Sequence, residues 1–171
     1  MHTVSVLIEN RPGALARVSN VFARRGFNIE SLAVGPTERP DVSRITLRVE
    51  CSPQTLEQIE KQMHKLVNVL RVTTLEAGDA VERELALVKV SAPPARRAEL
   101  MALAEVFSAR VVDVGPDVIV FEVVGTSEEV DRFEELVRPH GIKELARTGR
   151  IGLARASVGR NSRNANHALT A

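Results

Sequence analysis

The chain has 171 residues, of which 44% are apolar and 26% charged, a balance typical of a folded globular protein rather than a fibrous or disordered one. Lys and Arg number 23 against 22 for Asp and Glu, so no strong overall field exists to attract nucleic acid or an anionic membrane. Cys51 is the single cysteine, which excludes an intrachain disulfide framework and suits a reducing cytoplasm. No apolar run approaches the roughly 18 residues of a membrane span. We therefore expect a cytoplasmic protein.

The first half of the chain predicts the element order βαββαβ. Its N-terminus leads straight into an alternating strand pattern, so we expect no targeting segment. Apolar residues alternate with a period of two in four segments, as in half-buried strands, and recur at helical spacing in two others. The predicted strands span residues 3–9, 27–35, 45–51 and 69–75, and the predicted helices run from 12 to 25 and from 53 to about 66.

A second copy of the same order follows a short linker at Ala77-Gly78-Asp79. It begins with a strand that ends before Pro93, followed by a helix whose apolar stripe includes Leu100 and Phe107. The remaining predicted elements are a hairpin of residues 110–114 and 118–124, a helix carrying Val130, Phe133 and Val137, and a strand over 142–146.

The repeated pattern predicts the fold class. We expect an α+β protein of two ferredoxin-like units, each an antiparallel sheet covered on one face by two helices. The first domain would comprise residues 1–77 and the second 78–157. Residues 158–171 are rich in Asn, Ser, Arg and Ala without periodicity, which predicts a disordered tail.

The turn between the first strand and the first helix is the candidate binding site. The first turn of a helix leaves backbone N–H groups unpaired and carries partial positive charge, so a ligand carboxylate can bind there. Gly13 would let that ligand approach the backbone closely. Alternatively, Pro12-Gly13 only makes a tight turn and Asn10 caps the helix. These residues alone leave both interpretations open.

Asn28, at the entry to the second strand, is the candidate second ligand group. Its amide can donate to a carboxylate and accept from an ammonium group at the same time. A lone Asn more often bonds its own backbone in a turn. Only its combination with the turn at Asn10 and Gly13 favours the binding interpretation.

The sequence offers no catalytic or metal-binding constellation. The four histidines lie in different segments, and no Cys, His and carboxylate cluster has metal-ligand spacing. Cys51 ends an alternating strand and is predicted to be a core or edge residue rather than a nucleophile. We therefore predict no catalytic site, no metal and no cofactor in this chain.

An RNA-binding module can have the same element order, and composition argues against it. Such modules stack bases on exposed aromatic residues, whereas this chain has no Trp, no Tyr and five Phe that fall mostly on helix stripes or strand starts. We expect no nucleic-acid partner.

Several motifs together resemble one known family. They are LIENRPGAL at residues 7–15, RGFNIESL at 25–32, LEQIEKQ at 56–62, VEREL at 81–85 and GRIGLAR at 149–155. From Val4 to about Arg155 the chain resembles the regulatory small subunit of acetolactate synthase, also called acetohydroxyacid synthase. Its first half looks like an ACT domain, a ligand-sensing module, and so strengthens the carboxylate-site interpretation.

The resemblance implies a non-catalytic subunit that activates a catalytic large subunit and confers feedback inhibition in branched-chain amino acid biosynthesis. The effector would be valine, sometimes leucine or isoleucine, held between the ACT domains of a homodimer. The large subunit would carry thiamine diphosphate, magnesium and FAD. The site would consist of Asn10, Gly13, Ala14 and Leu15 of one chain with Asn28 and Ile29 of the other. An alternative is a free-standing ACT-type sensor that controls another biosynthetic enzyme.

Overall fold

The computed structural model describes residues 1–76 and 78–156 and contains the element order βαββαβ twice. The first unit consists of β1 His2–Glu9, α1 Ala14–Ala23, β2 Ile29–Pro36, β3 Val42–Val49, α2 Pro53–Met63 and β4 Val69–Leu75. The second consists of β5 Ala80–Ser91, α3 Arg97–Val106, β6 Arg110–Val114, β7 Val118–Gly125, α4 Ser127–Val137 and β8 Ile142–Arg147. A further strand, β9 Ile151–Ala154, follows. The predicted pair of ferredoxin-like α+β units is confirmed.

The first sheet is antiparallel with the strand order β2-β3-β1-β4. Alternation along β1 and β3 places one apolar row on the face that the two helices cover. The helices supply Val18 and Phe22 from α1 and Ile59 and Met63 from α2, all 1% exposed or less. The sheet supplies Val4, Val6, Ile45, Leu47 and Val49 to the same core.

The second sheet has the equivalent order β6-β7-β5-β8, with β5 and β7 at its centre. Its core face carries Ala86, Val88 and Val90 of β5, packed with Phe121 and Phe133. Leu87, which helped to indicate this strand in the sequence, lies on the opposite face and is 40% exposed.

Local signals explain where the helices start. Ser52 accepts a hydrogen bond from the Thr55 N–H, and Pro53 occupies the first turn of α2, where its missing N–H costs nothing. Thr126 and Glu129 form a capping box at α4, in which each side chain accepts from the other's backbone N–H.

A ribbon of two strands joins the units. The first four residues of β5 pair with β9, and Gly152 of β9 lies so close to β4 that a Cβ there would be 2.8 Å from Leu75 Cδ1. The ribbon thus lies against the face of the first sheet opposite its helices. Strand β9 was not predicted, because four residues with a central glycine give too short an alternation.

The predicted tail, residues 158–171, lies outside the described residues. No helix in the described ranges is long and apolar enough to cross a membrane.

Candidate ligand-binding site

Gly13 is the N-cap of α1, with a φ of +80° and a ψ of −5°. This left-handed conformation strains any residue that has a Cβ. No atom lies within 4 Å of the position that a Cβ would occupy, so the approach to the helix N-terminus is open. The predicted helix start at residue 12 was therefore two residues early, because the backbone at Gly13 is not helical.

The first turn of α1 has no side-chain cap. The interpretation in which Asn10 caps this helix is wrong, since the Asn10 side-chain N–H donates to the Pro40 carbonyl at 3.2 Å and its backbone N–H to the Asp41 carbonyl at 2.7 Å. Within residues 1–76 and 78–156, the N–H groups of Leu15 and Ala16 meet no acceptor. These two donors and the helix dipole can bind a carboxylate.

The two other residues of the turn differ in exposure. Ala14 is 4% exposed and anchors the helix to the core, so it offers backbone rather than side chain to a ligand. Leu15 is 38% exposed and can contact the apolar part of a bound molecule.

Positive charge surrounds this helix end. The Arg11 Nε lies 3.6 Å from Glu9 Oε2, and Asn68 donates to the same oxygen at 2.7 Å. Arg17, in the second turn of α1, donates in turn to the Asn68 amide oxygen. Arg11 thus faces the Glu9 carboxylate and Arg17 a neutral amide oxygen, which leaves the surroundings favourable to an anion.

Asn28 and Ile29 lie at the opposite end of the same sheet. Ile29 and His2 are both opposite Val49, whereas Glu9 is opposite Val42. Seven residues of strand separate the two ends, which corresponds to about 23 Å. One chain therefore does not bring Asn28 to the turn at Asn10 and Gly13.

The Asn28 side chain is exposed and makes no hydrogen bond to any residue that the structure describes. The alternative in which its amide bonds its own backbone is accordingly not observed. Ile29 is half-buried against the first core.

Strand β2 is an edge of the first sheet and pairs only with β3 among the described strands. Leu32 and Val34 are opposite Leu47 and Ile45, so they point to the helix side of the sheet. They remain 36% and 46% exposed, which is unusual for large apolar residues on that face. The strand thus presents both unpaired backbone groups and apolar side chains.

The sequence did not predict a buried charged cluster in the second unit. The Glu84 side chain is 6% exposed and accepts two hydrogen bonds of 2.9 Å from Arg147 and one of 2.7 Å from Ser127 Oγ. Burial raises the pKa of Glu84, but the bonds from Arg147 and Ser127 outweigh it and hold the pKa below its usual value. The Glu84 carboxylate in turn raises the pKa of Arg147.

This cluster borders a cleft of about 460 Å³ between the two units, lined on the other side by Glu30, Ser31 and Arg48 of the first. Glu84 and Arg147 are 63 residues apart in the chain, so no local spacing could have revealed the pair. A charged residue at an otherwise inward-facing position of β5 was the one available signal.

Within the described ranges, no group of three or more His, Cys, Asp or Glu side chains is close enough to hold a metal ion. Cys51 is half-buried, and burial raises the pKa of its thiol, which lowers the thiolate fraction at neutral pH.

Two family models match the chain. The model described as "Small subunit of acetolactate synthase" matches residues 83–156, and the one described as "AHAS small subunit-like ACT domain" matches residues 4–71.

Relatives match across nearly the whole chain. A protein of Archaeoglobus fulgidus named "Probable acetolactate synthase small subunit" is 49% identical over 156 residues, covering 91% of this chain and 98% of the relative. The acetolactate synthase small subunit of Mycolicibacterium smegmatis is 45% identical over 158 residues, covering 92% and 93%. The crystal structure of the acetolactate synthase small subunit from Thermotoga maritima superposes with a TM-score of 0.84 at 40% identity, covering 90% and 96%.

Proposed function

The chain belongs to the acetolactate synthase small-subunit family, and we propose that it is the subunit through which valine, or a related branched-chain amino acid, inhibits that enzyme. A small subunit is a non-catalytic part of the holoenzyme and has a catalytic large subunit as its partner. We further propose that thiamine diphosphate, magnesium and FAD are held by the large subunit, and that this chain raises its activity.

The observation that carries the effector proposal is the uncapped first turn of α1. The free N–H groups of Leu15 and Ala16 and the open approach at Gly13 suit the carboxylate of an amino acid. The Asn10 side-chain oxygen, whose amide nitrogen is already bonded to Pro40, is available to accept from the ammonium group.

We propose that a second copy of the chain completes this site. Antiparallel pairing of two β2 edges, centred on Leu32 so that opposite residues share a face, would set Asn28 of one chain opposite Pro36 of the other, next to Thr37. Thr37 donates its backbone N–H to the Val42 carbonyl at 3.1 Å, in the loop whose neighbouring carbonyls accept from Asn10. Asn28 of the partner would thus arrive beside the turn at Asn10 and Gly13.

The same pairing accounts for the exposed apolar side chains. Leu32 and Val34 of both chains would lose their contact with water at the new interface. Leu15 of one chain and Ile29 of the other would contact the branched end of the effector. A homodimer joined through the first units therefore supplies polar and apolar contacts that one chain lacks.

The test is reconstitution of the purified chain with its large subunit, followed by measurement of acetolactate formation from pyruvate. The chain should raise the rate, and valine, leucine or isoleucine should lower it only when the chain is present. An unchanged rate with and without the chain would contradict the proposal. A free-standing sensor is disfavoured, because the family match extends over both units.

A further inference from the structure

The second unit contacts strand β2 through the short segment of residues 148–150. Arg150 donates its backbone N–H to Ser31 Oγ at 3.1 Å. A Cβ added at Gly149 would lie 2.9 Å from Ser31 Oγ and 3.2 Å from the Leu32 carbonyl oxygen. Gly149 has a φ of +77°, so both its conformation and its surroundings require glycine. This contact is therefore backbone against strand, with no room for a side chain.

The guanidinium of Arg150 continues the contact into the second unit. The side chain is 11% exposed, its Nε donates to Ser127 Oγ at 3.1 Å and its Nη1 to Glu82 Oε2 at 2.6 Å. Ser127 is the first residue of α4, and Glu82 belongs to β5. One residue thus bonds to β2 with its backbone and to two elements of the other unit with its side chain.

Ser127 extends the connection to the buried cluster. Its hydroxyl accepts from Arg150 and donates to Glu84, whose carboxylate is also bound by Arg147. Charge-assisted bonds between groups withdrawn from water are strong and directional, so the chain of contacts from β2 to the second sheet is stiff.

The contact lies next to the proposed effector site. Ser31 is three residues from Asn28 and in the same strand as Ile29. An effector that binds Asn28 in one arrangement of β2 better than in another favours the first arrangement. A displacement of β2 carries Ser31 with it, and the segment at Gly149 cannot absorb the displacement because it is already in van der Waals contact.

We propose that residues 148–150 transmit effector occupancy from β2 to the second unit, so that Gly149 and Arg150 are positioning residues for inhibition and not for effector binding. This inference rests on the proposed function. It predicts that changes at this contact separate two quantities that vary together when the effector site itself is damaged, namely the valine dissociation constant and the extent of inhibition.

The first test is Gly149→Ala in the full chain. We expect the calorimetric valine dissociation constant to stay within about twofold of the wild type, whereas the allosteric coupling, measured as inhibition at saturating valine, falls at least about fivefold. Activation of the large subunit in the absence of valine should persist. Gly78→Ala is the matched control, because Gly78 has a φ of +93° but no atom within 4 Å of an added Cβ. The Gly78→Ala variant has the same kind of backbone strain without a contact to β2, so valine should inhibit it fully.

Two further variants avoid added bulk. Ser31→Ala removes the acceptor of the Arg150 N–H, and Arg150→Met removes the guanidinium while keeping that N–H. Both should weaken inhibition without weakening valine binding.

Wild-type inhibition in all three variants would overturn the proposed link. Parallel loss of valine binding and inhibition would also overturn it, because these residues would then belong to the binding site. If the wild-type chain bound none of the three branched-chain amino acids, the proposed function itself would be contradicted. Calorimetry on the wild-type chain alone gives that result, so it is distinguished from a failure of the proposed link.

Discussion

Gly13 combines a φ of +80° with open space in front of an uncapped helix. Replacing it with Asp places a carboxylate where the effector carboxylate is proposed to bind, so like-charge repulsion and steric exclusion act together. We expect Gly13→Asp to abolish valine inhibition while costing only about 1 to 2 kcal/mol of stability from the left-handed backbone. The measurement is inhibition of the reconstituted enzyme together with thermal unfolding.

Gly78→Asp is the control for this variant. Gly78 also has a positive φ, of +93°, and open space around it. The Gly78→Asp variant introduces the same charge and similar backbone strain away from the turn, so valine inhibition should be unchanged. Normal inhibition by Gly13→Asp would remove the turn from the site.

Glu84, whose side chain is 6% exposed, is the most buried partner in any ion pair of the described residues, and it pairs with Arg147. Glu84→Gln leaves Arg147 with Asp131, at 2.6 Å, as its close partner. We expect a loss of about 2 kcal/mol in the free energy of unfolding at pH 7, below the roughly 3 to 5 kcal/mol of a fully buried pair because Arg147 stays partly solvated. Urea unfolding of both proteins gives the difference.

The loss should depend on pH in a defined direction. The pKa of Glu84 is lowered in the folded chain, so its ionised form stabilises the fold at neutral pH. That stabilisation is complete above the unfolded pKa of about 4.3 and disappears as the pH falls through the folded value. The difference between wild type and Glu84→Gln should therefore shrink below about pH 4. An equal difference at pH 3 and pH 7 would show that the carboxylate charge is not responsible.

At the scale of elements, strand β2 lacks hydrogen-bond partners along its outer edge, because it pairs only with β3 among the described strands. Val34→Lys places a charge on the helix-side face of this edge, where Val34 is 46% exposed. We expect self-association to weaken at least about tenfold, or ~1.4 kcal/mol, while the secondary structure is retained. Sedimentation velocity over a concentration series measures this effect.

Val67→Lys provides the comparison. Val67 is 87% exposed in the turn before β4, so the same substitution there should leave association unchanged. Equal association of the two variants would mean that β2 is not the interface.

Elements in which apolar residues recur regularly over many residues could be predicted from the sequence. Elements whose position depends on contacts with distant parts of the chain could not. β4 was predicted at its observed bounds, and the stripes of α2 and α4 identified the core residues Ile59 and Phe133. β9 depends on pairing with β5, about 70 residues away in the chain, and left no local pattern.

The candidate site divides in the same way. The turn at Gly13 could be predicted because glycine and the helix start are adjacent in sequence. The relation of that turn to Asn28 could not be derived from periodicity, because it depends on strand order and on a second chain. The contact of Gly149 with Ser31 was also invisible, since 118 positions separate residues that tertiary packing brings together.

At the scale of the whole molecule, each unit closes its own apolar core. We therefore propose that residues 1–77 and 78–157 are separate domains, and we expect a fragment of residues 1–77 to fold and melt cooperatively by circular dichroism. Its stability should be lower than in the full chain, because the ribbon of β5 and β9 no longer covers the outer face of its sheet. An unstructured fragment would contradict the division.

The central claim is that the effector binds between two copies of this chain, with the turn at Asn10 and Gly13 of one copy and Asn28 of the other. A ligand that binds only the assembled state must favour assembly. At a hundredfold excess over its dissociation constant each site contributes about 2.7 kcal/mol, so the two equivalent sites of a symmetric dimer lower the apparent dimer dissociation constant roughly ten-thousandfold. By reciprocity, dilution should weaken valine binding.

Sedimentation equilibrium of dilute protein, at concentrations where monomer and dimer are both populated, tests this claim most directly. With saturating valine we expect a shift to the dimer of the stated size. An unchanged monomer–dimer balance, with valine binding verified in the same samples, would show that the site lies within one chain and that Asn28 does not complete its partner's site.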